Sequence, residues 1–207
     1  VLSRRPSLMS AVQTFRLKWV EQMSMRETHT ADATLLSNLL RGALFFASTT
    51  VFILGGLVAL LGTAPKVAEV IGQLPYATPA DPRLAEIKAL ILIFVYVYAF
   101  FKFTWSAWQY NVLAIVVGGM PQRDRDPSAA AHAIAAARVA TLAGENYNKG
   151  MRAYYFSIPL MAWFIDARLF LVATIIVTLV LYRREFHSPV LSALVNAGAD
   201  ERDISRL

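Results

Sequence analysis

The sequence predicts an all-α integral membrane helical bundle. Four transmembrane helices are joined by an N-terminal amphipathic helix and an alanine-rich cytoplasmic helix, in a single domain over 1–207. Three observations carry that prediction. Of the 207 residues, 57% are hydrophobic and only 16% are Asp, Glu, Lys or Arg, whereas soluble domains carry about 25% charged residues. The mean hydropathy is +0.47. The apolar residues gather into long runs, and the basic residues gather between alternate runs. A water-soluble globule of this make-up would expose too much apolar surface, so lipid is the solvent the chain is built for.

The first element is not a span. Over residues 7 to 27, Leu8, Val12, Phe15, Trp19 and Met23 recur at helical spacing, while Arg16, Lys18 and Glu21 take other faces. That pattern predicts a basic amphipathic helix suited to an anionic membrane surface or to a partner. The first span, about 39–62, has Arg41 near its start and no further charge up to its end. At about 1.5 Å per residue it is long enough for a hydrocarbon core of about 30 Å. Gly55, Gly56 and Gly62 lie in its second half, a packing signal without strict GxxxG spacing. The connection from Thr63 to Pro82 holds Pro65, Pro75, Pro79 and Pro82 and reads as an ordered, irregular extracytoplasmic loop.

The second span, about 86–112, lies in an apolar stretch longer than one crossing needs, so it tilts or continues beyond the membrane. Residues 128–148 form the next element, a cytoplasmic helix with Ser128 as N-cap. Nine of the 15 residues from Ala129 to Ala143 are alanine, the best helix former and one that lets neighbouring backbones approach. The last two spans, about 150–165 and 167–183, are short and paired. Ile165-Asp166-Ala167-Arg168 is the polar break between them, where Asp166 and Arg168 form a local pair or cap the arms. Pro159 should bend the first arm.

Charge orients the bundle. Fifteen Lys and Arg fall in residues 1–41, in the 120–152 connection and after Tyr182, against four in the 63–88 connection and the hairpin turn. The positive-inside rule therefore puts both termini in the cytoplasm, in what reads as a bacterial cytoplasmic membrane. On this reading the net charge of +6 records orientation, and nucleic acid is not a partner. The expected partners are anionic lipids on the cytoplasmic side and either a protein partner or further copies of the chain.

The counts also exclude chemistry. With no cysteine, disulfides, thiolate metal sites, iron–sulfur clusters and cysteine nucleophiles are ruled out. His29, His132 and His187 lie outside the spans, where they cannot ligate a haem inside the bundle. Nucleotide-loop, zincin and serine-hydrolase motifs are absent. The sequence points away from an enzyme, with no catalytic, cofactor-binding or metal-binding residue assigned and no cofactor expected.

One basic residue resists the sorting. Lys102 lies inside the second span, and Tyr98, Ser106 and Gln109 share its helix face. This candidate intramembrane polar site either lines a path for ions or pairs within the bundle. Candidate headgroup or interface anchors are Arg16, Lys18, Trp19, Lys149, Arg152, Arg183 and Arg184. Trp105, Trp108 and Tyr110 resemble an interfacial aromatic group, which argues that Lys102 lies towards one leaflet. The cluster Glu145, Tyr147, Lys149 and Arg152 is the sole footing for a lipid-acting enzyme.

The run Asn38-Leu39-Leu40-Arg41-Gly42 into FFASTT at 45–50 and then Gly55-Gly56 resembles a bacterial and plant membrane family catalogued as domain of unknown function 599. FFKFTW at 100–105 with Gln109-Tyr110-Asn111, Asn148 and Gly150 with Arg152 to Phe156, and Arg183-Arg184-Glu185 with Ser188 share the resemblance, which spans about residues 4 to 190. It implies a helical membrane protein whose biochemical role is not established. It also implies a further hydrophobic segment ahead of Val1, in which case the true N-terminus is extracytoplasmic and the other sides stand. The leading expectation is an accessory or scaffold subunit packed on membrane partners. The alternative is a small homo-oligomeric channel or transporter lined by the Lys102 stripe.

Overall fold

The computed structural model describes residues 7–26, 28–63, 66, 69–70, 72–73, 82–121 and 128–204. Pro65, Pro75 and Pro79 of the expected extracytoplasmic loop lie outside them, as do Arg4, Arg5, Arg123, Arg125, Pro127 and Arg206. The long described elements are all helices: α1 (Leu8–Met23), α2 (Thr30–Leu61), α3 (Pro82–Gly118), α4 (Ala129–Ala162), α5 (Ala167–Phe186) and α6 (Pro189–Ile204). Two of them, α2 and α3, are long and apolar enough to cross a membrane. The paired short spans expected in α4 and α5 do not meet the same measure of length and apolarity.

α3 is the central helix, with α2 packed along one side of it and α4 along the other. At 37 residues it extends about 55 Å, far beyond one bilayer core. The alanine-rich segment and the third expected span are one continuous helix, α4, with Pro159 accommodated inside it. Proline removes the bond to the carbonyl four residues back, here that of Tyr155. The Ser157 hydroxyl donates to the Tyr154 carbonyl at 2.7 Å and bonds the Tyr96 hydroxyl at 2.8 Å.

The core divides along the helices. Towards one end, Ala133, Ala136, Ala137, Ala140 and Ala143 of α4 meet Ala107, Tyr110, Leu113 and Val117 of α3, with Leu36 and Ala43 of α2 and Val20 and Met23 of α1. Small alanine faces let these helices approach closely, which is why this end buries so much of its surface. Further along, Phe103 is fully buried beside Ala47, Ala99 and Ala153, and its ring meets those of Phe46, Tyr147 and Tyr154.

α1 opens with a capping box: the Ser7 hydroxyl accepts from the Ser10 N–H, and the Ser10 hydroxyl accepts from the Ser7 N–H. Its apolar stripe, expected on a membrane surface or a partner, packs in part within the chain: Val20 and Met23 are buried with the alanine face of α4 and Trp19 lies against them, and α1 also touches α5 and α6. Covering the stripe with protein removes the same apolar area from water as lipid would. Asp166 caps α5, its carboxylate accepting from the Arg168 N–H at 2.6 Å. Ser128 holds the N-cap position of α4 but in a helical conformation and without a side-chain cap bond, so the capping expected of it is not made.

Candidate functional site

α3 and α4 run antiparallel, with Lys88 opposite Trp163, Tyr96 opposite Ser157, Phe103 opposite Gly150 and Ser106 opposite Ala143. This register turns most of the Lys102 stripe inward. The Ser106 hydroxyl is fully buried and donates to the Ala143 carbonyl at 2.8 Å. Gln109 accepts from the Asn146 amide at 2.9 Å, and the same amide nitrogen donates to the Leu142 carbonyl at 3.1 Å. The Lys102 ammonium, half-buried, donates to the Asn146 carbonyl oxygen at 3.4 Å and lies 5.4 Å from the centre of the Tyr98 ring. Three members of the stripe thus converge on α4, with Asn146 joining two of them. Tyr98 alone faces outward.

The expected anchors fall into two groups. Arg16, Arg152 and Arg184 collect where α1, α4 and α5 meet. Arg152 pairs with Glu185 at 3.5 Å, and the other Glu185 oxygen accepts the Met9 N–H at 3.3 Å. A carboxylate at the start of α1 also complements the helix dipole. Arg184 donates to the Asn148 side chain at 3.5 Å and lies over the Tyr155 ring. Arg16 rests against the α4 backbone at Gly144, where any Cβ would collide with its guanidinium. Its Nη1 is buried without a hydrogen-bond partner. Burial draws its pKa below the ordinary value, with the charges of Tyr110 and Glu145 opposing. By contrast Lys149 and Arg183 are exposed, and Lys18 lies over the Phe15 ring. Trp19 is turned inward, its indole N–H given to Asp32 at 2.8 Å.

Two residues outside the sequence reading hold the ends of the bundle. Asp32, buried in the first turn of α2, also pairs with Arg26 at 2.9 Å. Lys88 is buried and donates to the Trp163 carbonyl at 2.7 Å. Asp32 was detectable: Asp32, Leu36, Ala43, Ala47 and Thr50 form one helical stripe, all buried, once the periodicity is carried upstream of Leu39. Lys88 has no such signal, because its partner is a backbone carbonyl 75 residues away.

Between α3 and α4 lies a groove of about 610 Å³, open to the outside. Ile91 and Phe94 line one end, Lys149 and Arg152 line the other, and Tyr98 and Phe156 lie between them. Among the described residues no group of three or more His, Asp or Glu side chains could hold a metal ion. The sequence matches the family model described as protein of unknown function, DUF599, over residues 1–190. No curated protein and no solved structure matches it.

Proposed function

Because the chain belongs to the DUF599 family, a family of unknown function, we propose its role from its geometry. It is a four-span membrane protein whose helices continue into a cytoplasmic bundle, and it serves as a non-catalytic accessory or scaffold subunit held against partner membrane proteins and lipid. The observation that carries this reading is the pair of unpartnered apolar flanks. On α2, Phe52 is 81% exposed, with Val51 and Val58 beside it; on α5, Leu171, Ile175 and Leu179 are all exposed. Contiguous apolar surface on this scale calls for lipid or a protein partner. Gly55 and Gly56 on α2 have open space around them, which suits close approach by another helix.

The charges support four crossings. Lys102, Lys149 and Arg183 fall at one level of the antiparallel register, and Lys88 and Arg168 at the other. Arg168 and Arg183 are about 22 Å apart along α5. That is short for a core of about 30 Å, a mismatch met by snorkelling arginines and local thinning. On this reading the alanine-packed end of the bundle stands in the cytoplasm. The channel alternative has less support, since Ser106, Gln109 and Asn146 spend their polar groups on one another and on the backbone.

The chain's lack of cysteine allows single-cysteine labelling without background. Cysteines at 41 and 183 should react from the cytoplasmic side and those at 63 and 168 from the opposite side, with 52 and 175 protected from water-soluble reagents. Purification in mild detergent with mass measurement should return a complex. A stable, isolated monomer would overturn the accessory role.

A further inference from the structure

We infer that the groove between α3 and α4 binds one anionic phospholipid of the cytoplasmic leaflet. Its phosphate lies on Lys149 and Arg152, and one acyl chain lies against Ile91, Phe94 and Phe156. This rests on the membrane-spanning reading above. The groove is divided as such a lipid is divided. From Lys149 to Phe156 it follows α4 for about 10 Å, cationic at the first end and apolar at the second. In the antiparallel register the cationic end sits level with Lys102 and Arg183, where a cytoplasmic headgroup belongs. The apolar end points towards the middle of the spans.

The charge is complementary. No carboxylate is among the groove-lining residues. Lys149 is exposed, with no ion pair or hydrogen bond to its side chain among the described residues. Arg152 is half exposed and shares its charge with Glu185 across 3.5 Å, a long contact that leaves donors available. Lys102 stands behind the Tyr98 ring and adds positive potential to that end. Tyr98, between the two ends, is half exposed and offers the groove an aromatic face. Phe94 is 72% exposed, a ring that an acyl chain would cover.

The test is native mass spectrometry of the full chain, purified in mild detergent and offered equal amounts of dioleoyl phosphatidylglycerol and dioleoyl phosphatidylcholine. One phosphatidylglycerol should be retained in preference. A basic residue near the membrane surface contributes about 1 kcal/mol, so Lys149→Gln should weaken retention about fivefold and Lys149→Gln with Arg152→Gln about thirtyfold. Arg41→Gln, on exposed α2 surface outside the groove, should change nothing. Equal retention of the two lipids would overturn the site, as would an Arg41→Gln effect equal to that of Lys149→Gln. Glycerol phosphate displacing the lipid at equal concentration would also overturn it, because the apolar half would then contribute nothing. If the doubly substituted protein fails to fold, Lys149→Gln alone decides, since Lys149 is exposed. Alkaline carbonate extraction of the same membranes separates the two claims. Release of the chain overturns the membrane-spanning reading, whereas a retained chain without lipid selectivity overturns this site alone.

Discussion

The indole N–H of Trp19 donates to the buried carboxylate of Asp32 across 2.8 Å, tying the end of α1 to the first turn of α2. Arg26 donates to the same oxygen at 2.9 Å, and His29 Nδ1 stands 3.9 Å from the other. Asp32→Ala would leave the Trp19 N–H without its acceptor, at a cost of about 1–3 kcal/mol. Arg26 is half exposed, so its share of the loss is small. Asp32→Asn keeps an acceptor for Trp19 and should lose less. Limited proteolysis at the α1–α2 turn, together with denaturant unfolding, measures both. Equal stability of the alanine variant and the parent would mean that Trp19 holds α1 by packing alone.

Asn146 should matter more than Lys102. Its amide nitrogen serves Gln109 and the Leu142 carbonyl, and its oxygen receives Lys102. Asn146→Leu leaves the buried Gln109 oxygen without its donor, at a cost of about 1–3 kcal/mol. The Lys102 contact, at 3.4 Å, is longer than a usual N–H···O bond of about 2.7–3.2 Å. Lys102→Leu should therefore cost no more than about 1 kcal/mol. Thermal unfolding in detergent gives the order, and a Lys102→Leu loss exceeding that of Asn146→Leu would reverse this account of the seam.

The periodicities, which depend on local sequence, foretold more than the contacts between helices. α1 was legible from Leu8, Val12, Phe15, Trp19 and Met23, and the excess length of α3 from its unbroken apolar run. The continuity of α4 through Gly150 and Pro159 was not, because a breaker's effect depends on what packs against it. The Phe103 ring packs against Gly150, and Ser157, two residues before the proline, is bonded to Tyr96 across the seam. Lys102 stands out as a charge in an apolar run, but no local signal marks Asn146 as its partner. Pairing across 44 residues depends on the α3–α4 register, which neither helix states alone. α6 follows a short turn after α5, in a stretch that enters the sequence analysis only through its basic residues.

Two glycines on α4 should respond differently to a methyl group. At Gly150 a Cβ would stand 2.7 Å from the Phe103 ring, which is fully buried and hemmed in by three other aromatic rings. Overpacking costs about 1–3 kcal/mol, against a gain in helix propensity of about 0.8–1 kcal/mol. Gly150→Ala should therefore destabilise, and Phe103→Leu in the same chain should recover part of the loss. At Gly144 the obstacle is the end of the flexible Arg16 side chain, which can swing aside. Gly144→Ala should leave global unfolding near the parent and loosen α1, read as faster proteolysis of residues 8–23. The reverse pattern would mean that Arg16 is the less mobile of the two neighbours.

At the opposite end of the bundle, Lys88 fixes the last turn of α4. Trp163 is the C-cap residue of that helix, and its carbonyl receives the Lys88 ammonium at 2.7 Å, while the ammonium also lies 5.1 Å from the centre of the Trp163 ring. Carbonyls at a helix C-terminus carry partial negative charge and favour a cation, and here Lys88 is only 8% exposed. A hydrogen bond to a charged group contributes about 1.5–3 kcal/mol. Lys88→Met keeps the length of the stem and removes the donor and the charge, so it should lower stability by about that amount. Lys88→Ala should lower it further, by the packing of the stem. Unfolding of both variants in the same detergent separates the two parts. If Lys88→Met matches the parent while Lys88→Ala does not, the stem holds the helices together and the bond to Trp163 adds nothing.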